Sequence, residues 1–455
     1  MCRKVWCLAL ILALAGCRIA QEKYHWGASL ENDRQRAAGL SDADLRRMVE
    51  GLYVEKDPDG ASFMALRAAS VRAVPLLIRA LDDPRTWNMT FPDPRYKLTV
   101  NSPFERIAGL LALADGIGAV KPAAKYLKHN DRWIRLHAAS LLGGLATADC
   151  LEPVKLALAD PDRLVRESAL SGIRNGLGHR RDQTFIQGAF AAVLPMLNEG
   201  KYDTTTPAET LLAIDLARAV PILESPAYFS AANPQLSEVL SALNRGDVRV
   251  PRAILMPLMK QMEPREREYA KMLPLYARNP DAAAEAMFRS LVNSPSDSIA
   301  YEAAGALEIL AGVEPWEVVK DGWEDRKFVA LTQAQQYYMA VADYHGEVCN
   351  GGHRQYFYNS SAGHYGEAIA GLRAMGLAGK ATILEKAAGA FAGGKPPLAW
   401  EPRRELVVAF ARPAEAVLAR ADDAYFESEK KPRERVEVAL ALWTVAHRNE
   451  FVKPR

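Results

Sequence analysis

From Ala61 onward, apolar residues recur at spacings of three and four, the period of helices that bury one face, and no alternating strand pattern competes with it. The pattern predicts an all-α chain. Ser41 opens an early helix, with Asp42 and Asp44 in its first turn, where carboxylates complement the exposed backbone N–H groups. Far downstream, Thr332 and Gln335 stand at capping-box spacing, and Tyr338, Val341, Ala342 and Val348 continue an apolar stripe behind them. Asn350, Gly351 and Gly352 then predict a left-handed C-cap. Further helices are expected over 364–376, 380–392, 402–426 with a break at Pro413, and 433–449. The stretch from Arg85 to Pro103 reads as a loop.

Part of this pattern repeats. "AVKPAAKYLKHNDRWIRLHAASLLGGL" and "CLEPVKLALADPDRLVRESALSGIRNGL" superpose at an offset of about 31 residues, a solenoid-like period. Pro122 falls on Pro153, Leu127 on Leu158, Asp131 on Asp162, Arg135 on Arg166, Ala138 on Ala169 and Leu142 on Ile173. Each copy is a helix with an early proline, an Asp-containing turn, and a second helix with small residues for close packing. The unit resembles the short HEAT-like repeats. Looser copies are expected at Ala69–Pro84 and Ser294–Gly312, because one pair cannot bury its apolar face alone.

The first residues follow a different rule. Arg3 and Lys4 precede an apolar run from Val5 to Ala15, too short to span a bilayer as a mature helix. Leu14, Ala15, Gly16 and Cys17 end it, and the whole resembles a bacterial lipoprotein signal peptide. The resemblance implies that Cys17 is the lipid attachment site and the mature N-terminus. It also implies a location in the bacterial cell envelope, at the outer membrane facing the periplasm if the host has two membranes. Cysteine usage fits export: beyond Cys17 only Cys150 and Cys349 remain, so one pair is the most that could bridge. With 57 Lys plus Arg against 55 Asp plus Glu, the net charge of +2 gives no broad footprint for nucleic acid.

One stretch stands apart from the alanine-rich helices. "EVCNGGHRQYFYNSSAG" places Glu347, Asn350, Gly351, Gly352, His353, Gln355, Tyr356, Phe357 and Asn359 within one corner. Glu347, Asn350, Gly351, Gly352, Gln355, Tyr356, Phe357, Asn359 and Gly363 carry a resemblance to the domain of the DNA-mimic protein family, over roughly 325–450. His353 departs from it, standing where that family is usually apolar. The resemblance implies a small all-α domain. A mimic arrays carboxylates at phosphate-like spacing, whereas residues 321–455 hold 17 acidic and 18 basic side chains. The glycines permit a backbone reversal and Tyr356 and Phe357 drive the next helix into the core, so the corner residues are candidates for a structural turn with a partner-binding surface beside it.

The catalytic alternatives are thin. His345, Cys349 and His353 recur every four residues with Glu347 nearby, yet the glycines interrupt the helix and no CxxC or HExxH completes a metal site. Cys349 with His353 as nucleophile and base lacks an identifiable orienting acid. Ser360 and Ser361 sit outside any GxSxG setting, and the lone glycine clusters lack a phosphate-binding context. The chain is thus expected to comprise a signal peptide (1–16), a lipidated tether with a leading helix (17–60), a HEAT-like α-solenoid (61–320) and a compact helical domain (321–455). Its expected role is binding or scaffolding a protein partner at a membrane reached through the lipid anchor. No catalysis, cofactor, metal or nucleic-acid partner is expected. The alternatives are a DNA-mimic inhibitor, or a metal or thiol centre at Cys349.

Overall fold

The computed structural model describes residues 39–452 except 56–59, 89–90, 93–98, 102, 115–116, 179–180, 200–201, 203–205, 264–265 and 321–327. The expected signal peptide, Cys17 and nearly all of the lipidated tether lie outside the described residues. The chain divides after Phe229 into two compact units.

The first unit contains α1 (Asp42–Gly51), α2 (Ala61–Ala69), α3 (Val74–Ala80), α4 (Pro84–Asn88), β1 (Phe91–Pro92), β2 (Thr99–Asn101), α5 (Pro103–Leu113), α6 (Val120–Ala124), α7 (Arg132–Leu145), α8 (Leu151–Leu158), α9 (Arg163–Leu177), α10 (Gln183–Val193), α11 (Pro207–Ile214) and α12 (Leu216–Leu223). Ser41 caps α1 in a reciprocal capping box with Asp44. The stretch expected to be a loop instead holds α4 and a short antiparallel ladder, with Phe91 opposite Asn101 and Pro92 opposite Thr99. Thr99 and Val100 are β-branched and favour extended backbone, too few in number to register as a strand pattern.

The repeat is realised residue by residue. Asp131 and Asp162 cap α7 and α9 by accepting the N–H groups of Trp133 (2.8 Å) and Leu164 (2.9 Å). Arg135 donates to the carbonyls of His129 and Asn130, and Arg166 to those of Asp160 and Pro161. Arg135 also reaches into the following copy, where its Nε lies 2.8 Å from Asp160 Oδ2. α7 and α9 approach backbone to backbone through glycines: a Cβ on Gly172 would lie 2.4 Å from Ser140 O. Successive helices thus pack on their sequence neighbours in the manner of an α-solenoid.

The second unit contains α13 (Leu236–Arg245), α14 (Arg252–Met262), α15 (Glu266–Ala277), α16 (Ala284–Leu291), α17 (Asp297–Ala311), α18 (Pro315–Val319), α19 (Gln333–Tyr358), α20 (Tyr365–Ala374), α21 (Ala378–Ala388), α22 (Trp400–Val408), α23 (Arg412–Glu429), α24 (Val436–Ala446) and α25 (Arg448–Phe451). α17 spans the helix expected in the late repeat copy, with Ser296 as its N-cap and Gly312 left-handed at its end. The break between α22 and α23 falls before Pro413, because proline is well accommodated in a first helical turn. The expected boundary at 320 lies inside this unit. Arg435, at the start of α24, is buried and donates to the carbonyls of Ser294 and Pro295 before α17, and it pairs with Asp297. Thr444 Oγ1 on α24 donates to Glu308 Oε1 on α17 at 2.7 Å. The last solenoid-like helix and the C-terminal domain therefore share one packed core.

Replacing Gly172 with Ala should cost roughly 1–3 kcal/mol, since backbone cannot retreat as a flexible side chain can. Gly109→Ala, in α5 with open space around it, should be neutral or stabilising by up to about 1 kcal/mol. Urea unfolding midpoints of the two variants check the contrast. Glu308 yields a pH prediction: burial raises its carboxyl above the ordinary 4.5, and the Thr444 hydroxyl only partly offsets this. Such an acid binds its proton more readily folded than unfolded. Its contribution to stability is therefore fullest below pH 4.5, declines as the pH rises beyond that, and levels off once the group is ionised in both states. Glu308→Gln should flatten that decline in thermal unfolding measured against pH.

Candidate functional site

The corner is built around a broken helix. α19 starts with the expected capping box, Gln335 N–H donating to Thr332 Oγ1 and Thr332 N–H to Gln335 Oε1. It then kinks at Gly351 and Gly352 and resumes at once, so the glycines bend the helix where a C-cap is expected to end it. Gly352 has φ 75° and ψ −177°, a conformation essentially closed to other residues. A Cβ there would also lie 2.5 Å from Asp422 Oδ2. Asp422, on α23, seats the kink: its Oδ1 accepts the His353 N–H at 2.7 Å and the His353 Nδ1–H at 2.6 Å. A carboxylate can only accept, so Nδ1 carries the proton, and Nε2 faces the Tyr344 hydroxyl at 2.9 Å.

Glu347 fastens the two arms of the bend to each other. Its Oε2 accepts from Gln355 Nε2 (2.8 Å) and Asn359 Nδ2 (2.7 Å), which are one helical turn apart beyond the kink. Tyr356 and Phe357 turn inward, Tyr356 against Tyr344 and Phe357 against Phe391. His353, Tyr356 and Phe357 are fully buried: the two aromatics belong to the core of the corner, and its burial removes His353 from the candidate partner-binding surface. Asn350 and Gly351 are exposed, and Glu347, Gln355 and Asn359 are half-buried.

Arg403 holds the far side. It is fully buried on α22, and its donors meet five carbonyls: Phe357 (3.0 Å), Pro397 and Leu398 (2.7 Å each), Asn359 (2.8 Å) and Ser360 (3.2 Å). The guanidinium fork thus ties the exit of α19 to the 397–398 turn. Burial works against its charge.

Across α19 from Glu347 lies a second polar group. His345 is buried, with Nδ1 2.6 Å from Tyr425 OH and Nε2 3.5 Å from Glu437 Oε1. Cys349 Sγ lies 3.8 Å from both ring nitrogens. Lys380, fully buried, donates to Tyr425 O at 3.0 Å, pairs with Glu429 at 2.6 Å and lies 3.4 Å from the centre of the Tyr425 ring. Burial lowers its ammonium below the ordinary value, and Glu429 partly restores it. Of the three residues spaced by four, His345 and Cys349 meet, whereas His353 is committed to Asp422 and Tyr344. Among the described residues no group of three or more His, Cys, Asp and Glu side chains is arranged to hold a metal ion. Asp422, Tyr425, Glu437, Lys380 and Arg403 come from α21 to α24, beyond the reach of any local spacing rule.

A kinked first helix clasped by four later ones defines a small all-α domain. Residues 329–447 match the family described as DMP19-like protein, in agreement with the resemblance carried by the corner motif. No curated protein matches the chain. Among solved structures, an engineered protein from a structural genomics consortium aligns with 89% of this chain and 99% of its own, at 15% identity and a TM-score of 0.26, too low to imply a shared fold.

Substituting Arg403 by Met should destabilise the second unit by about 3 kcal/mol, because five carbonyls lose the buried guanidinium that joins them. Arg403→Lys should recover little, since an ammonium cannot span the fork. Chemical denaturation followed by tryptophan fluorescence measures both, and a loss below about 1 kcal/mol for the Met variant would contradict the bridging role.

Proposed function

We propose that the protein is a lipid-anchored envelope protein that binds another protein through the DMP19-like domain. The exposed surface beside the corner carries the proposal. Arg404 lies between two aromatic rings, 5.1 Å from the Tyr358 centroid and 5.4 Å from that of Trp400. Trp400 Nε1 donates to Tyr358 O, and Arg404 Nε to Tyr358 OH, both at 3.0 Å. Leu398, Trp400 and Val408 are exposed around them. Pre-ordered Trp, Tyr and Arg with adjacent apolar area is the composition that dominates protein interfaces. A partner offering an apolar pocket rimmed by carboxylates would match it.

The surface charge favours this reading over a DNA mimic. Within 329–447 the exposed carboxylates Glu385, Glu401, Glu405, Asp423 and Glu427 are outnumbered by exposed cations, among them Arg354, Lys395, Arg404, Arg412, Arg420 and Lys431. Two of those carboxylates are paired, Glu385 with Arg373 and Glu427 with Lys430. A mimic needs unpaired carboxylates in a continuous row. Envelope attachment rests on Cys17 and the residues before it; no single helix among the described residues is long and apolar enough to cross a membrane. The solenoid-like helices are proposed as a second contact surface.

Affinity capture with quantitative mass spectrometry, on full-length protein in detergent-solubilised membranes, provides the test. A partner recovered with wild type and with Lys386→Glu should be lost with Trp400→Ala and with Arg404→Glu. Equal recovery with all four forms would remove this surface from the reading, and a partner released by competing duplex DNA would favour the mimic.

A further inference from the structure

The kink of α19 is fully explained by His353, Asp422, Glu347 and Arg403. The neighbouring group of Cys349, His345, Glu437, Tyr425 and Lys380 is not needed for it, yet it buries an imidazole and an ammonium at a desolvation cost. Its arrangement has chemical consequences. Four residues apart on a continuous stretch of α19, His345 and Cys349 share a face, Cys349 half-buried and His345 buried. Glu437 on α24 and Tyr425 on α23 approach the two ring nitrogens from opposite sides and fix the ring orientation. Lys380 on α21, held by Glu429, adds a buried positive charge close enough to feel charge on the sulfur. Tyr344 and Tyr425 also face Cys349. A partly exposed thiol among cationic and hydrogen-bonding groups, with its base oriented by a carboxylate, is the setting of reactive cysteines.

We propose that Cys349 is a hydroperoxide-reactive thiol, with His345 as the proton donor to the leaving oxygen and Glu437 as a positioning residue. The sulfur attacks one peroxide oxygen, forming an S–O bond as the O–O bond breaks. The thiol proton is released to water, and the ring of His345 donates its own proton to the departing oxygen, which leaves as water or an alcohol, before the ring is reprotonated from solvent. Sulfur gives up two electrons, the peroxide accepts them, and the product is a sulfenic acid at Cys349. Burial opposes a charged imidazole at His345, but the Cys349 sulfur and the Glu437 carboxylate outweigh it and hold the ring well above its ordinary range. The ring can therefore keep the proton until the leaving oxygen needs it.

The test is the rate of sulfenic acid formation on purified full-length protein treated with hydrogen peroxide, trapped with dimedone and resolved by peptide mass spectrometry. Cys150 is an internal reference: it is fully buried, and burial holds its thiol above the ordinary value. Cys349 should label much faster than Cys150. His345→Gln should slow Cys349 by about 10²-fold, the low end of what a positioned acid or base supplies. Glu437→Gln should slow it less and move the inflection of the rate against pH downward, since the ring loses its carboxylate. Circular dichroism and thermal unfolding of each variant separate slowing from unfolding, and the wild-type comparison of the two cysteines stands even if a variant fails to fold. Labelling of Cys349 no faster than Cys150, or a rate unchanged in both folded variants, overturns the proposal.

Discussion

The second unit depends on a single backbone N–H. Bending a helix sharply leaves amide groups without their usual acceptors, and a buried unsatisfied N–H costs as much as a lost hydrogen bond. At His353 that group is met by Asp422, whose carboxylate also fixes the ring of the same residue. The seat requires a residue without a side chain immediately before it, and Gly352 meets both that requirement and the unusual backbone angles. Once the bend is fixed, Tyr356 and Phe357 point into the core, and Asn359 and Ser360 present carbonyls to Arg403. The domain thus turns on one carboxylate placed sixty-nine residues away in sequence.

Local features were legible in the chain where local physics decides them. The helix start at Ser41, the capping box at Thr332, the end of α17 at Gly312, and the Asp131 and Asp162 turns all appear where residue type and spacing place them. The polar and aromatic richness of the corner was legible, as was its resemblance to a known domain. Which way its polar side chains point was not. Glu347 looks like a surface acid in sequence, yet it accepts from two amides across the bend. His353 looks like an exposed residue after a turn, yet it is fully buried.

The distant partners were hidden for a physical reason: hydrogen bonds over long sequence separation leave no periodicity. A weaker signal did exist. Lys380 falls on the apolar stripe of Leu377, Leu384 and Ala388, and Arg403 lies one turn before Val407. A lone cation on a buried stripe must find oxygen ligands, and both do. The same stripes fail to mark where the units separate, because Arg435 and Thr444 join α24 to α17 through contacts that mean nothing locally.

The arginine contacts of the first unit give the stack a direction. Arg135 grips its own turn and also the acid of the next copy, and Arg166 pairs onward with Glu199 at 3.6 Å. The position equivalent to Asp160 in the earlier copy is His129, whose ring nitrogen accepts the Asp131 N–H as Asp160 accepts that of Asp162. The histidine preserves the turn but offers no carboxylate to an arginine from upstream. The chain of clasps therefore begins at Arg135 and runs only towards the C-terminus. A copy added downstream would find an arginine waiting for it, whereas one added upstream would have to bring its own acid.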